Sequence, residues 1–161
     1  MKLAIIYFSK GGRTRQMAEA VAEGARRVPD TEAALFDLDH IDYDYVAQAG
    51  AVVFGTPTYY ANLCWQMKKW FDEAYRCDLS GKLGAAFATA DYPQGGADVA
   101  VLTLLQHMLV KGMLVYSGGA VLGKPFLHLG AVANKENFEH SRPLFQVFGE
   151  RIARQAEKLG G

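Results

Sequence analysis

Uninterrupted apolar stretches alternate with amphipathic stretches along the chain. Residues 3–8 and 51–56 are apolar at nearly every position, whereas in other segments apolar residues recur every three or four positions. Strands that are covered on both faces by helices have this unalternating apolar character. The pattern therefore predicts buried strands of a parallel sheet, separated by helices that pack on it.

Five strands and five helices are predicted in alternation. The strands fall at residues 3–8, 32–38, 51–56, 82–89 and 113–116, and the helices at residues 14–28, 43–49, 63–74, 101–109 and 144–159. This order predicts a three-layer, doubly wound α/β fold with a five-stranded parallel sheet in the order 2-1-3-4-5. Pro57 is expected to end the third strand, and residues 117–138 to form a long loop.

Length and charge narrow the class of protein. The 161 residues are 50% hydrophobic, which predicts one domain over residues 1–161. Seventeen basic and seventeen acidic residues give a net charge of +0, so nothing favours nucleic acid or an anionic membrane as a partner. The apolar stretch 99–115 is interrupted by polar residues and predicts no membrane span, and Cys64 and Cys77 are expected to be free thiols. These features predict a soluble cytoplasmic protein.

The first strand runs into a short loop of small and polar residues. These are Ser9, Lys10, Gly11, Gly12, Arg13 and Thr14. A strand, a glycine-containing turn and a helix together aim backbone N–H groups at an anion, and hydroxyl and guanidinium groups add donors. The sequence lacks both the P-loop and the G-x-G-x-x-G pattern, so we expect a mononucleotide phosphate here. A plain tight turn is the alternative interpretation.

Two further loops follow the third and fourth strands. The first contains Pro57, Thr58, Tyr59, Tyr60, Ala61 and Asn62, and the second contains Thr89, Ala90, Asp91, Tyr92, Gly95 and Gly96. Ligands of open α/β sheets bind beyond the carboxyl ends of the strands, where these loops meet the first one. Phosphate donors in one loop and aromatic rings in the other two suit a ligand with a phosphate tail and a flat heteroaromatic head.

Particular residues argue against two other functions, a receiver domain and a metal-binding site. A phosphoacceptor receiver domain needs acidic residues where Ser9 and Thr56 stand, so that interpretation is excluded. The acidic residues between positions 37 and 44 fit a solvated loop better than a divalent-metal site. The four histidines lack metal-ligand spacing, and no side chain stands out as a catalytic acid or base. We therefore predict no metal site and no catalytic side chain.

The loop sequences resemble those of a known family. Residues 9–14 (SKGGRT) are similar to the phosphate loop of flavodoxins. Residues 55–62 (GTPTYYAN) resemble the tryptophan-repressor-binding-protein-like branch, whose members are FMN-dependent NAD(P)H:quinone oxidoreductases. The similarity covers residues 1–118 and the last helix. The chain departs from that branch at Tyr59-Tyr60, where an Arg-Phe pair is usual, and at Lys111, where a histidine is usual.

The resemblance implies a flavodoxin-like fold and an FMN site. It implies that residues 9–14 hold the phosphate and that the isoalloxazine lies between residues 57–62 and 89–96. The implied activity is electron transfer from NAD(P)H to a quinone or similar small acceptor, in a protein that is compatible with a dimer or a tetramer. A flavodoxin-type electron carrier is the alternative, although carriers are typically acidic and this chain has no net charge. A flavin-free interaction domain is a third hypothesis.

Overall fold

The computed structural model describes residues 1–75 and 77–160. The strands are β1 (Lys2–Tyr7), β2 (Glu32–Asp37), β3 (Ala51–Tyr59), β4 (Asn62–Leu63), β5 (Leu83–Ala90), β6 (Leu114–Val115) and β7 (Ala131–Asn134). The helices are α1 (Arg13–Ala25), α2 (Tyr43–Gln48), α3 (Trp65–Glu73), α4 (Ala97–Val110) and α5 (Phe138–Gly160), with a short 3-10 turn at Ala120–Leu122. Among these helices, none has the length and apolar character needed to cross a membrane.

The sheet confirms the predicted three-layer, doubly wound architecture. Its main path runs β2-β1-β3-β5-β6, with β7 also beside β5 and with β4 beside β3. Every pairing is parallel except that of β3 with β4. The sheet thus differs in detail from the predicted five-stranded order 2-1-3-4-5, because β4 is an added hairpin arm and two strands share the fifth position.

Residues 117–138 do not form the long loop that the sequence predicts, because β7 lies within them and shares the edge of β5 with β6. Leu114 lies opposite Leu83 at the start of β5, and Ala131 lies opposite Phe87 in its second half. The predicted loop therefore contains a strand, a 3-10 turn and the start of α5. Four residues of β7 are too few to show a period, but the backbone groups along the edge of β5 need partners, and β7 supplies them.

Two cores separate the three layers. Leu3 and Ile5 of β1 belong to the core beneath α1 and α5, whereas Ala4 and Ile6 belong to the core beneath α2, α3 and α4. All four side chains are fully buried. Successive strand residues point to opposite faces, so an unalternating apolar strand is what a sheet between two helical layers requires.

The prediction that Pro57 ends the third strand is wrong, because β3 continues through Pro57 to Tyr59. The Gly55 carbonyl accepts from the Phe8 N–H at 3.2 Å, so alternate residues from Gly55 onward face the β1 side. Pro57 lies beyond the last residue of β1 on that side, and its missing N–H therefore costs no ladder bond. As a result, Thr58 and Tyr59 stand on a strand that projects past β1.

Candidate functional site

A cleft lies at the carboxyl ends of β1, β3 and β5. It is lined by Ser9, Lys10, Gly11, Arg13, Thr14, Pro57, Thr58, Tyr59, Thr89, Ala90 and Asp91. All of these are residues that the sequence predicts for one site. The other predicted residues lie in the same three segments but outside this lining: Gly12, Tyr60, Ala61, Asn62, Tyr92, Gly95 and Gly96. The structure thus brings the three segments to one place.

The N-terminus of α1 opens beside the cleft. Gly12 precedes the helix with φ 86° and, having no side chain, provides no cap for its N–H groups. The Ser9 hydroxyl accepts from the Arg15 N–H at 3.2 Å, which ties the loop to the first turn. The N–H groups ahead of Arg15 have no partner within the helix, and together with the helix dipole they favour an anion at this position.

Two threonine hydroxyls join the first and third segments. The Thr14 and Thr89 oxygens are 2.8 Å apart, and the two residues are 2% and 5% exposed. Each hydroxyl has one hydrogen, and the bond between them uses only one of the two. One O–H at the floor of the cleft therefore remains as a donor for a ligand oxygen.

An ion pair also joins the first and third segments of the cleft. The Arg13 guanidinium donates to the Asp91 carboxylate, and both side chains are about half exposed. The sequence predicts Arg13 as a phosphate ligand, but it does not reveal this carboxylate partner. An exposed pair contributes only about 0–1 kcal/mol, and a guanidinium has five N–H donors, so Arg13 retains donors for an anion.

Thr58, one of the lining residues, carries a buried polar atom that lacks a partner among the described residues. Its hydroxyl oxygen is buried and has no hydrogen-bond partner among the described residues. Leaving a buried hydroxyl unpaired costs about 1–3 kcal/mol, so such an atom in a cleft indicates a place for a polar ligand atom. Thr58 lines the cleft beside Pro57 and Tyr59.

The three tyrosines that the sequence proposes for ring stacking differ in position. Tyr59 lines the cleft and is 38% exposed, whereas Tyr60 and Tyr92 are much more exposed and stand outside the lining. Burial raises the pKa of the Tyr59 hydroxyl, with smaller contributions from Cys64 and Asp91, so Tyr59 is a neutral phenol at pH 7. Tyr59 is therefore the aromatic ring that borders the cleft directly.

A tight hairpin turn joins β3 to β4 at the rim of the cleft. Tyr59 pairs with Asn62, and the two residues between them, Tyr60 and Ala61, have φ of 48° and 60°. Positive φ at both central positions is the signature of a type I′ turn, which usually contains Asn-Gly. For other residues this conformation costs about 1–2 kcal/mol each. The sequence does not reveal this turn, because Tyr-Ala carries no turn signal.

The turn is held against the first turn of α4 and by β3 itself. Gly96 has φ 87°, and a Cβ there would lie 2.5 Å from the Ala61 Cα, so the two backbones touch. The buried Thr56 hydroxyl donates to the Pro57 carbonyl at 2.8 Å and accepts from the Cys64 N–H at 3.1 Å. The sequence predicts Thr56 only as the end of a strand, and its role in fixing the hairpin is visible only in the structure.

The acidic, histidine and cysteine side chains considered as candidates in the sequence lie outside the cleft, apart from Asp91. Asp42 caps α2, since its carboxylate accepts from the Tyr45 N–H at 2.9 Å. His128 lines a separate surface groove with Phe126. Within residues 1–75 and 77–160, no three His, Cys, Asp or Glu side chains are grouped so that they could hold a metal ion. Cys64 and Cys77 are free thiols.

Comparisons with known proteins agree with this geometry. Residues 5–101 match the model of the family described as Flavodoxin. The chain is 47% identical over 159 residues to a flavodoxin of Clostridium saccharobutylicum, covering 99% of both chains. It is 31% identical over 164 residues to an NAD(P)H dehydrogenase (quinone) of Geotalea daltonii, covering 84% of this chain and 77% of the relative. The crystal structure of a flavodoxin, WrbA-like protein from Agrobacterium tumefaciens superposes with a TM-score of 0.83 at 26% identity over 98% of both chains.

Proposed function

The chain belongs to the flavodoxin family, and on that premise we propose that it binds FMN and passes electrons from NAD(P)H to a quinone or similar small acceptor. The convergence of three segments on one cleft, one of whose lining residues, Thr58, carries a buried hydroxyl without a partner among the described residues, is the observation that carries this proposal. When bound, FMN would supply the electron chemistry, and the protein would supply binding, orientation and electrostatics.

The first segment holds the phosphate of FMN in this proposal. Its members would be Ser9, Lys10, Gly11, Gly12, Arg13 and Thr14. The N-terminus of α1, where Gly12 supplies no side-chain cap, and the spare hydroxyl hydrogen of the Thr14–Thr89 pair support this role. Arg13 and Lys10 add positive charge at the mouth of the cleft. Because α1 is anchored by Thr14 in the core, these donors are fixed before the ligand arrives.

The second and third segments hold the flavin ring. Pro57, Thr58 and Tyr59 would line one side of it, and Thr89, Ala90 and Asp91 the other. Tyr60, Ala61, Asn62, Tyr92, Gly95 and Gly96 would form the rim around it. The buried Thr58 hydroxyl suits a polar edge of the ring, since FMN offers both hydrogen-bond donors and acceptors there. Tyr59 would cover the ring from the β3–β4 hairpin.

Titration with FMN tests the cofactor directly. Binding should quench flavin fluorescence, and saturating FMN at about 100 times its Kd should raise the free energy of unfolding by about 2.7 kcal/mol. Riboflavin, which lacks the phosphate, is the matched ligand and should bind more weakly. Absence of both quenching and thermal stabilisation would overturn the proposal.

A flavodoxin-type electron carrier is the second candidate. The similarity to the Clostridium saccharobutylicum flavodoxin supports it. Two features support the enzyme instead: the name of the Geotalea daltonii relative and the net charge of +0, which gives no acidic surface to steer a basic partner. A carrier would take up FMN equally well but would not oxidise NADH or NADPH on its own.

A further inference from the structure

A second concave surface adjoins the cleft at the β3–β4 hairpin. This groove has a volume of about 520 Å³, and its lining includes Tyr59, Tyr60, Asn62, Trp65, Lys68 and Thr103. It is called the aromatic groove below. Its volume is in the range of about 300–1,000 Å³ that is usual for small-molecule sites. Tyr59 also lines the cleft, so the two sites share one wall and one ligand can occupy both.

Three aromatic side chains make the groove suitable for a flat ligand. Trp65 is 66% exposed, Tyr60 is fully exposed and Tyr59 is partly exposed. Tyr60 has a φ of 48° in a turn where asparagine or glycine is usual, so a strained backbone holds a ring that is not buried. Strain without burial of the ring indicates that the ring serves a ligand rather than the core. Exposed aromatic faces stack well on heteroaromatic bases.

The polar groups of the groove specify which base fits. The Asn62 side-chain oxygen accepts from the Leu63 N–H at 2.8 Å, so the Asn62 amide N–H groups remain as donors for a ligand. The Thr103 hydroxyl donates to the Val99 carbonyl at 2.8 Å, so it retains acceptor capacity. Adenine offers the matching pair, because its ring nitrogens accept and its 6-amino group donates.

Lys68 adds a positive charge to the groove. It forms an i,i+4 ion pair with Asp72, and both side chains are about half exposed, so this pair contributes little to stability. The ammonium has three N–H donors and keeps some of them for another anion, for which phosphate is a usual partner. Aromatic rings, a matched donor and acceptor, and a cation together suit an adenine nucleotide.

We propose that the aromatic groove binds the adenosine half of a nicotinamide dinucleotide while the nicotinamide lies at the cleft. The inference rests on the proposed function, in which NADH or NADPH supplies the electrons. Because the cleft and the groove share Tyr59, the two halves of one dinucleotide occupy neighbouring sites. Binding of the half that does not react holds the nicotinamide at the flavin.

Calorimetry with ADP-ribose tests the groove separately from the redox reaction. ADP-ribose has the adenosine and the two phosphates but no nicotinamide, so its binding to the FMN-loaded protein needs no electron transfer. Trp65→Ala should raise its Kd roughly 5- to 150-fold, since a stacking ring is lost, and Trp65→Phe should keep most of the affinity. Phe126→Ala, at an aromatic residue that is 57% exposed between β6 and β7, is the matched control and should leave the Kd unchanged.

Tyr60→Asn separates ligand binding from folding. Asparagine tolerates positive φ, so this variant should unfold at a higher denaturant concentration than the wild type. It lacks the ring, so it should nevertheless bind ADP-ribose at least about fivefold more weakly. A tyrosine with only a structural role would leave ADP-ribose binding unchanged, and that result would overturn the proposal.

Thr103→Val tests the identity of the base. Valine keeps the size of the side chain but removes the acceptor for the 6-amino group, so the Kd for ADP-ribose should rise roughly 2- to 12-fold. The inosine counterpart of ADP-ribose has a carbonyl in place of that amino group. It should bind the wild type more weakly than ADP-ribose does, whereas Thr103→Val should bind the two ligands equally. Equal binding of both ligands by the wild type would overturn the assignment to adenine.

Reduced nicotinamide mononucleotide, which lacks adenosine, separates this proposal from the proposed function. Trp65→Ala should raise the KM for the dinucleotide that reduces the flavin but leave the KM for the mononucleotide unchanged. Flavin reduction by NADH or NADPH without binding of ADP-ribose would overturn the assignment of the groove and leave the proposed function intact. Binding of ADP-ribose that depends on Trp65, without flavin reduction by any of the three nucleotides, would contradict the oxidoreductase and uphold the groove as an adenine-nucleotide site.

Discussion

Three threonine side chains decide the polarity of the cleft at the scale of single residues. The Thr14 and Thr89 hydroxyls bond to each other below the mouth of the cleft, and the Thr58 hydroxyl is buried without a partner among the described residues. A ligand that satisfies these hydroxyls gains more than the same contacts would give on an open surface, because buried donors and acceptors are costly when unpaired.

Thr14→Ala tests the phosphate assignment. Loss of a hydrogen bond to a charged group costs about 1.5–3 kcal/mol, so the Kd for FMN should rise roughly 10- to 150-fold. Riboflavin has no phosphate, so its Kd should change much less. Thr31→Ala, in the connection between α1 and β2, is the control and should affect neither ligand. An equal loss for FMN and riboflavin would place the phosphate elsewhere.

Asp91→Asn tests the ion pair with Arg13. The substitution removes a negative charge from a cleft that is proposed to take a phosphate and frees the guanidinium, so we expect FMN to bind about two- to fivefold more tightly at low salt. Because the pair is exposed, the free energy of unfolding should change by less than about 1 kcal/mol. Arg13→Ala should act in the opposite direction on FMN. Weaker FMN binding by Asp91→Asn would mean that this carboxylate contacts the ligand itself.

The β3–β4 hairpin governs the site at the scale of elements. Its turn holds Tyr60 and Ala61 at positive φ, and the first turn of α4 presses against it at Gly96. Strain of this kind persists only where the surroundings fix the backbone. Turning over the peptide between Tyr60 and Ala61 would convert the type I′ turn to type II′, in which the first central position strongly favours glycine. The turn is therefore held in a single conformation.

Comparing Gly96→Ala with a glycine that makes no close contact should distinguish the effect of the Gly96–Ala61 contact from the general cost of placing alanine at positive φ. An added Cβ would lie 2.5 Å from the Ala61 Cα and 2.6 Å from the Ala61 carbonyl oxygen, so the hairpin must move. Gly81→Ala is the matched control, because Gly81 also has positive φ but has nothing within 4 Å of the added Cβ. Chemical denaturation should show a loss of about 1–2 kcal/mol for Gly81→Ala and a larger loss for Gly96→Ala. Only Gly96→Ala should weaken FMN binding; equal effects of the two variants would contradict a tight contact.

Tyr60→Gly should change the flavin chemistry. A peptide that turns over easily can aim its carbonyl at the N–H that a flavin gains on reduction, and glycine makes that movement cheap. We therefore expect little one-electron-reduced flavin during photoreduction of the wild type and more of it in Tyr60→Gly. Tyr92→Gly, at another exposed tyrosine of the rim, should behave like the wild type. Abundant one-electron-reduced flavin in the wild type would contradict the fixed turn.

The sequence was sufficient for the architecture and for the three segments that meet at the cleft. Apolar strands such as residues 3–8 and the alternation of strands with helices determine the layers, and parallel topology then determines which loops meet. It was not sufficient for the hairpin turn, for β7 or for the contact between Arg13 and Asp91. Those features depend on packing between segments far apart in the chain, such as Gly96 against Ala61, and leave no periodic signal.

At the scale of the whole molecule, the net charge helps to distinguish an electron carrier from an NAD(P)H oxidoreductase. A net charge of +0 provides neither an acidic surface for steering a basic partner protein nor a strong field against a fully reduced, anionic flavin. Both properties suit a protein that accepts an electron pair from a nicotinamide and hands it to a small molecule. The relatives include proteins named for each role, so the choice between electron carrier and oxidoreductase is made by measuring reactivity.

Anaerobic mixing of the FMN-loaded protein with NADH and, separately, with NADPH is the most direct test. At least one of them should bleach the oxidised flavin spectrum in a single phase, and a benzoquinone should then restore it. Free FMN at the same concentration is the control for uncatalysed reduction. A protein that binds FMN but whose flavin is reduced by neither nucleotide faster than free FMN would contradict the oxidoreductase proposal and identify an electron carrier.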